Sequence, residues 1–152
     1  TYPETQTFPG SVWDMTIKAD IALPCATQNE INSAQLTRLY QAGVTYLAEG
    51  ANMPLTEGAL EKIRELDLTY GPGKAANAGG VAVSAMEMSQ NASFEAWSQE
   101  RVDQELQKVM GNIFQEVKEV AQNYGFPKDY LRGADIASFE KLVQLMLDQG
   151  LV

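Results

Sequence analysis

Strand-like and helix-like runs alternate between residues 17 and 70, and this alternation restricts the possible folds more than any other feature of the sequence. Short β-compatible runs lie at residues 17–23, 44–48 and 68–70, and proline or glycine follows each of them closely. Two runs between them place apolar residues on one helical face: Leu36, Leu39 and Tyr40 in the first, and Leu60, Ile63 and Leu66 in the second. This order predicts an α/β fold with a parallel sheet of about three strands.

Helix signals dominate the sequence from residue 81 onward, which predicts an all-helical C-terminal region. Asn32 or Ser33 suits the start of the first helix and Gly43 its end, while Ser98 and Gly125 suit the two ends of a long helix. Apolar residues recur along that long helix at intervals of 3 or 4, which predicts one buried stripe: Val102, Leu106, Val109, Ile113, Val117, Val120 and Tyr124. A last helix, which Gly150 ends, carries Ile136, Phe139, Val143 and Met146.

Two residue counts exclude whole classes of chemistry. The chain contains 0 His and 1 Cys, so it has no Ser-His-Asp triad, no histidine zinc site, no internal disulfide and no cysteine-held metal cluster. The single cysteine, Cys25, has no histidine that would act as its base. We therefore predict no metal ligand in this chain and no catalysis based on histidine or on Cys25.

The charge balance argues against nucleic acid and anionic membranes as partners, because 11 basic residues face 20 acidic ones. No apolar run approaches the roughly 20 residues of a membrane helix. The first residues lack the basic start and apolar stretch of a signal peptide, so none is expected. One cysteine fits a reducing compartment, and we expect the protein in the cytoplasm.

Polar loops follow all three predicted strands, at residues 24–29, 49–54 and 71–80. The carboxyl ends of parallel strands meet at one edge of a sheet, where ligands bind in open α/β folds. Asn52 in the second loop offers a donor and an acceptor, which suits a carboxamide. Polar turns without a ligand are the alternative interpretation, and the two are about equally favoured for the first loop.

The third loop is rich in glycine but matches neither the G-x-G-x-x-G fingerprint nor the phosphate-binding Walker pattern. Gly79 and Gly80 are expected to open a helix whose free N–H groups favour an anion. Val81 and Ser84 share one face of that helix, and the Ser84 hydroxyl suits a carboxylate. A serine that bonds only to the preceding turn is the alternative.

Three segments carry a resemblance to a known family: residues 20–31 (DIALPCATQNEI), 48–56 (AEGANMPLT) and 72–91 (PGKAANAGGVAVSAMEMSQN). They closely resemble glutamate dehydrogenase, above all the hexameric, usually NADP-dependent enzymes of bacteria and fungi. Residues 133–150 are similar to the final helix of that family. The resemblance implies reversible oxidative deamination of L-glutamate to 2-oxoglutarate and ammonia, with NADP as the cofactor and NAD as a possible substitute.

The resemblance also implies a domain organisation. Residues 1–80 match the C-terminal half of a dinucleotide-binding, Rossmann-like domain, and residues 81–152 match a helical C-terminal region that packs on it. The family's N-terminal substrate domain, with its catalytic lysine and aspartate, has no counterpart in the chain, and neither does the glycine-rich fingerprint of the cofactor domain. The chain alone is therefore expected to be inactive, although a full-length family member is an active hexamer.

Four residues match cofactor-binding positions of the family. Ala26 and Thr27 are expected to lie along the dinucleotide near the nicotinamide ribose. Asn52 and Asn77 are expected to contact the nicotinamide or its ribose.

Two further residues match positions that bind the substrate. Val81 is expected to line the pocket for the substrate side chain, and Ser84 to bond the γ-carboxylate of glutamate. The chain departs from the family pattern at Asp135 and Ser138, where the family usually has asparagine and glycine.

A non-catalytic interaction module that kept the fold is the rival hypothesis, and an open reading frame that continues upstream would favour the enzyme. The strand at residues 17–23 is expected to leave a free sheet edge, which recruits other strands. The chain is therefore expected to form dimers or larger oligomers. The competing expectation is that residues 1–16 cover the edge, through Phe8, Val12 and Trp13.

Overall fold

The strands and helices follow one another in the alternating order that the sequence predicts. The computed structural model describes residues 9–15 and 17–150. After a short 3-10 turn at Val12–Asp14, the elements are β1 (Ile21–Ala22), α1 (Ser33–Gln41), β2 (Tyr46–Ala48), α2 (Glu57–Ile63), β3 (Thr69–Gly71), α3 (Gly73–Ala76), α4 (Ala78–Ser93), α5 (Gln99–Asn123) and α6 (Tyr130–Gln149).

Within the described residues, three parallel strands form one sheet in the order β1-β2-β3. The predicted α/β fold with a parallel sheet is confirmed. The first strand is shorter than predicted, with Ile21 and Ala22 paired to β2 instead of the whole of residues 17–23. One reason is Pro24, which has no N–H to extend the ladder.

The main core lies between one face of the sheet and helices α1 and α2. Ala22, Leu47 and Tyr70 are in register across the three strands, and all three are buried on this face. They pack with apolar residues of the helices and loops: Ile31, Leu36, Leu39, Val44, Leu55, Ala59, Ile63 and Leu68. Alternation along β2 turns Tyr46 to the other face, which α5 covers loosely above an apolar cavity of about 250 Å³.

The predicted caps are confirmed. Asn32 caps α1 and forms a capping box with Gln35, because each side chain accepts a bond from the other residue's backbone N–H. Gly43 follows α1 with φ +113°, and Gly125 follows α5 with φ +83°, a region that glycine enters without strain. Ser98 caps α5 by accepting a bond from the N–H of Arg101.

The stripe predicted along α5 is less buried than expected, because Val117 alone of its residues is fully buried and the others, apart from Tyr124, are partly buried. Val117 and Ala121 are the buried residues of this helix, and Tyr124 lies half exposed with its hydroxyl bonded to Glu140. In α6 the buried positions are Gly133, Ala134 and Ala137, whereas Phe139 is 65% exposed. The two helices meet where Gly133 of α6 lies against Val117 and Ala121 of α5.

The predicted division of the chain at residue 80 falls inside α4, which runs without interruption across it. The assignment of residues 1–80 and 81–152 to two regions stays a prediction. None of the helices in the described part of the chain combines the length and apolar character needed to cross a bilayer.

Candidate functional site

An open cleft of about 650 Å³ lies at the carboxyl end of the sheet, between the loops that follow the three strands and the first turns of α4. The side chains that line it come from residues that are far apart in the sequence. They include all six site residues singled out from the sequence: Ala26, Thr27, Asn52, Asn77, Val81 and Ser84. The structure therefore brings the predicted residues together, while their roles stay predictions.

Backbone hydrogen bonds join the first two loops into one wall of the cleft. The N–H of Gly50 donates to the carbonyl of Pro24 at 2.9 Å, and the N–H of Asn29 donates to the carbonyl of Met53 at 2.9 Å. Asn29 and Met53 both adopt left-handed backbone angles, with φ of +56° and +50°. A Cβ at position 50 would lie 2.4 Å from the Sγ of Cys25, so glycine permits the close approach of the loops.

Two asparagine side chains meet across the cleft from different loops. Nδ2 of Asn77 donates to Oδ1 of Asn52 at 2.8 Å. This bond leaves the amide hydrogens of Asn52 and the carbonyl oxygen of Asn77 available to a ligand. A donor and an acceptor side by side complement a carboxamide, which offers the opposite pair.

Ser84 and Val81 face the cleft from one side of α4. Val81 is 76% exposed, so its side chain is accessible from the cleft. Ser93 and Ser138 donate back to the carbonyls of the residues four positions earlier, but no such bond forms at Ser84 among the described residues. The Ser84 hydroxyl is therefore available to a ligand such as a carboxylate.

The start of α4 differs from the predicted one. The helix begins at Ala78, one residue earlier than predicted and separated from α3 by Asn77, so Gly79 and Gly80 lie within its first turn. The N–H of Gly80 donates to the carbonyl of Asn77 at 3.3 Å, so it is not free as expected. The four-residue helix α3 was not predicted because its segment contains glycine, which disfavours helices.

The two adjacent glycines face different surroundings. A Cβ at Gly79 would lie 3.2 Å from Cδ1 of Leu106 and 3.4 Å from Sδ of Met110, so this glycine lets α4 approach α5. A Cβ at Gly80 would meet no heavy atom within 4 Å and would enter the cleft. Glycine at position 80 is thus not required by packing within the described chain.

Alanine substitutions at Gly79 and Gly80 are expected to distinguish the effect of close packing on stability from that of helix propensity. Gly80→Ala gains helix propensity and is expected to stabilise the chain by up to about 1 kcal/mol. Gly79→Ala gains the same propensity but crowds Leu106, so its stabilisation is expected to be smaller or reversed. Urea midpoints of the two variants measure the difference, and equal stabilisation by both would contradict the close packing at Gly79.

Glu49 belongs to the site region but was missed as a functional residue. It is 5% exposed, and its Oε2 accepts a bond from the N–H of Gly73 at 2.7 Å. Burial raises the pKa of Tyr70 above its ordinary value, and the charge of Glu49 and the bond between the two side chains raise it further. An acidic residue directly after an apolar strand was the signal available in the sequence.

An ion pair ties the third loop to the C-terminal helix. Nζ of Lys74 in α3 bonds to Oδ1 of Asp135 in α6, one of the two residues that depart from the resembling family pattern. Ser138, the other, donates to the carbonyl of Ala134 within α6 at 2.8 Å. Across residues 9–15 and 17–150, no three His, Cys, Asp or Glu side chains come together as a metal-binding group.

Comparisons with known proteins find relatives that match most of the chain. The family model described as glutamate/leucine/phenylalanine/valine dehydrogenase matches residues 1–150. The NADP-specific glutamate dehydrogenase of Giardia intestinalis is 47% identical over 133 residues, which cover 88% of this chain and 30% of that protein. The NADP-specific glutamate dehydrogenase of a Psychrobacter strain is 45% identical over 141 residues, covering 90% of this chain and 32% of that protein.

The fold of the chain also matches part of a solved structure. A structure of glutamate dehydrogenase superposes with a TM-score of 0.91 and 40% identity, covering 97% of this chain and 33% of that one. The chain thus spans about a third of the length of the relatives that it matches.

Proposed function

The chain belongs to the glutamate/leucine/phenylalanine/valine dehydrogenase family, and on that premise we propose that it is part of an NADP-dependent glutamate dehydrogenase. The observation that carries the proposal is the cleft at the carboxyl end of the sheet, where the six predicted site residues converge. The complete enzyme would interconvert L-glutamate with 2-oxoglutarate and ammonia. Residues 1–80 would supply the nicotinamide side of the cofactor site. Residues 81–152 would supply the contacts to the substrate, through Val81 and Ser84 near their start.

The residues of the cleft fit the nicotinamide end of a dinucleotide. The free amide hydrogens of Asn52 and the free carbonyl oxygen of Asn77 match the acceptor and donor of the nicotinamide carboxamide. Ala26 and Thr27 line the same cleft and would flank the adjoining ribose. The names of the two relatives, both NADP-specific, favour NADP over NAD.

The substrate side of the cleft favours glutamate among the amino acids that the family name includes. Leucine, phenylalanine and valine carry apolar side chains, which would leave the hydroxyl of Ser84 without a partner in a closed site. A γ-carboxylate would accept a bond from that hydroxyl, while Val81 would contact the methylene groups of glutamate. One polar and one apolar residue on the same face of α4 thus match the two parts of the substrate side chain.

Hydride acceptance from the substrate Cα is the chemistry that bound NADP supplies. The residues of this chain orient the two reactants. Asn52 and Asn77 would fix the plane of the nicotinamide ring, and Ser84 would fix the far end of the glutamate side chain. Such positioning lowers the entropic cost of reaching the reactive geometry.

The activity test compares the chain alone with a chimera in which it replaces the matching third of the Giardia intestinalis enzyme. We expect no reduction of NADP by the isolated chain with glutamate, and clear reduction by the chimera. A chimera that folds and assembles but stays inactive would instead favour a non-catalytic module. Turnover by the isolated chain above a buffer blank would contradict the expectation that this chain alone is inactive.

We propose a hexamer for the complete enzyme and a dimer or larger oligomer for the chain alone. Within the described residues β1 pairs with β2 alone, and Ile21 on β1 is 58% exposed. Of the side chains expected to cover this edge, Trp13 packs against the core and bonds to Glu30, Val12 is half exposed, and Phe8 lies outside the described residues. Light scattering at high micromolar concentration is expected to give more than the monomer mass, and a clean monomer would reject association.

A further inference from the structure

A buried carboxylate stands behind the cleft without lining it. Glu49 follows β2, is 5% exposed, and accepts the N–H of Gly73 at 2.7 Å. Gly73 is the first residue of α3, so its N–H has no acceptor within the helix. A Cβ at Gly73 would lie 3.0 Å from Oε2 of Glu49 and 3.2 Å from the carbonyl of Ala51, so the backbone approaches the carboxylate without room for a side chain.

A short ring of contacts leads from this carboxylate to the asparagine pair. The carbonyl of Gly73 accepts the N–H of Asn77 at 2.9 Å, which fixes the far end of α3. Nδ2 of Asn77 then donates to Oδ1 of Asn52 at 2.8 Å. Asn52 lies in the same loop as Glu49, so the ring closes through the backbone of that loop.

A carboxylate holds the N–H of Gly73 more strongly than a neutral acceptor would. A hydrogen bond to a charged acceptor is shorter and stronger than a neutral one, and the low polarity of the surroundings strengthens it further. The carboxylate thus joins the end of β2 to the first residue of α3. No other side chain accepts the Gly73 N–H within the described residues.

We propose that Glu49 is a positioning residue: by holding the N–H of Gly73, its carboxylate sets the place of Asn77 against Asn52 and thereby the orientation of the nicotinamide carboxamide. This inference rests on the proposed function, because the asparagine pair matters to catalysis only if it faces the nicotinamide. Glu49 itself touches neither reactant. Its effect passes through Gly73, the four residues of α3 and the Asn77 side chain.

The test is NMR spectroscopy of the full chain with Glu49→Ala, Glu49→Gln and the control Glu61→Gln, which removes the same charge from an exposed site. In Glu49→Ala, hydrogen exchange of the Gly73 N–H is expected to accelerate at least about tenfold, because its acceptor is lost. The side-chain amide signals of Asn77 are expected to move as well. Glu49→Gln keeps an acceptor and the side-chain volume, so both changes should be smaller than in Glu49→Ala. This variant remains informative if the alanine variant fails to fold.

The Asn77 signals decide the inference. If Gly73 exchanges faster in either variant while the Asn77 amide stays unmoved, Glu49 only satisfies a buried N–H and the inference is overturned. Equal changes in Glu61→Gln would overturn it too, since they would reflect charge alone. Titration of the unmodified chain with nicotinamide mononucleotide tests the proposed function separately, and unmoved Asn52 and Asn77 signals there would contradict that function while leaving the Glu49 result to stand on its own.

Discussion

Gly133→Ala is expected to destabilise the chain by about 2 kcal/mol. A Cβ at this position would lie 2.4 Å from the carbonyl oxygen of Val117 and 3.0 Å from Cβ of Ala121, where α6 crosses α5. The carbonyl belongs to a helix backbone and has little freedom to move, so overpacking at the upper end of the usual range, about 3 kcal/mol, is expected. Helix propensity returns about 1 kcal/mol of this.

Gly111→Ala provides the matched control for that prediction. Gly111 is an exposed residue within α5, and a Cβ there would meet no heavy atom within 4 Å. It should stabilise the chain by about 1 kcal/mol through propensity alone. Urea unfolding of the two variants is expected to differ by about 3 kcal/mol, and a Gly133→Ala variant as stable as Gly111→Ala would show that the helices do not cross so closely.

Ser84→Ala in the active chimera is expected to weaken glutamate binding roughly 10- to 150-fold. The substitution removes a hydroxyl that would donate to a carboxylate, and a lost hydrogen bond to a charged group costs about 1.5–3 kcal/mol. KM for glutamate should rise by this factor when binding equilibrates before chemistry, and KM for NADP should change little. An unchanged KM for glutamate would refute the role of Ser84.

Ser89→Ala serves as the control, because Ser89 lies on the same exposed stretch of α4 but does not line the cleft. Its substitution also removes a serine hydroxyl from α4, and the KM values for glutamate and for NADP should stay near those of the unmodified chimera. A rise in KM for glutamate in both variants would point to a general effect on α4.

Local rules predicted the caps of α1 and α5 well. Asn32 with Gln35, Gly43, Ser98 and Gly125 each act through neighbours within a few residues, so the pattern contains the physical cause. The candidate cleft was predictable as well, since parallel strands bring their carboxyl ends to one edge. The convergence of Ala26, Asn52, Asn77 and Ser84 follows from that rule together with the resemblance.

Burial along α5 and α6 was not predictable in the same way. Spacing shows which residues share a face, but it does not show which turns another element covers. Small residues at Gly133, Ala134 and Ala137 decide where the helices touch, and Phe139 stays exposed beyond that contact. Apolar character alone favoured the wrong residues of α6.

The sequence by itself determined the α/β class with a parallel sheet, several helix caps and the polar loops at one edge of the sheet. Caps depend on contacts within one or two turns of chain, and the sheet class follows from the alternation of strand and helix patterns, so both can be read from the sequence. Only the tertiary structure decided that Glu49 is buried against Gly73, that Asn77 bonds to Asn52, and that Lys74 pairs with Asp135. Each of these contacts joins residues separated by at least 24 positions, and their distances depend on how the loops and helices pack together.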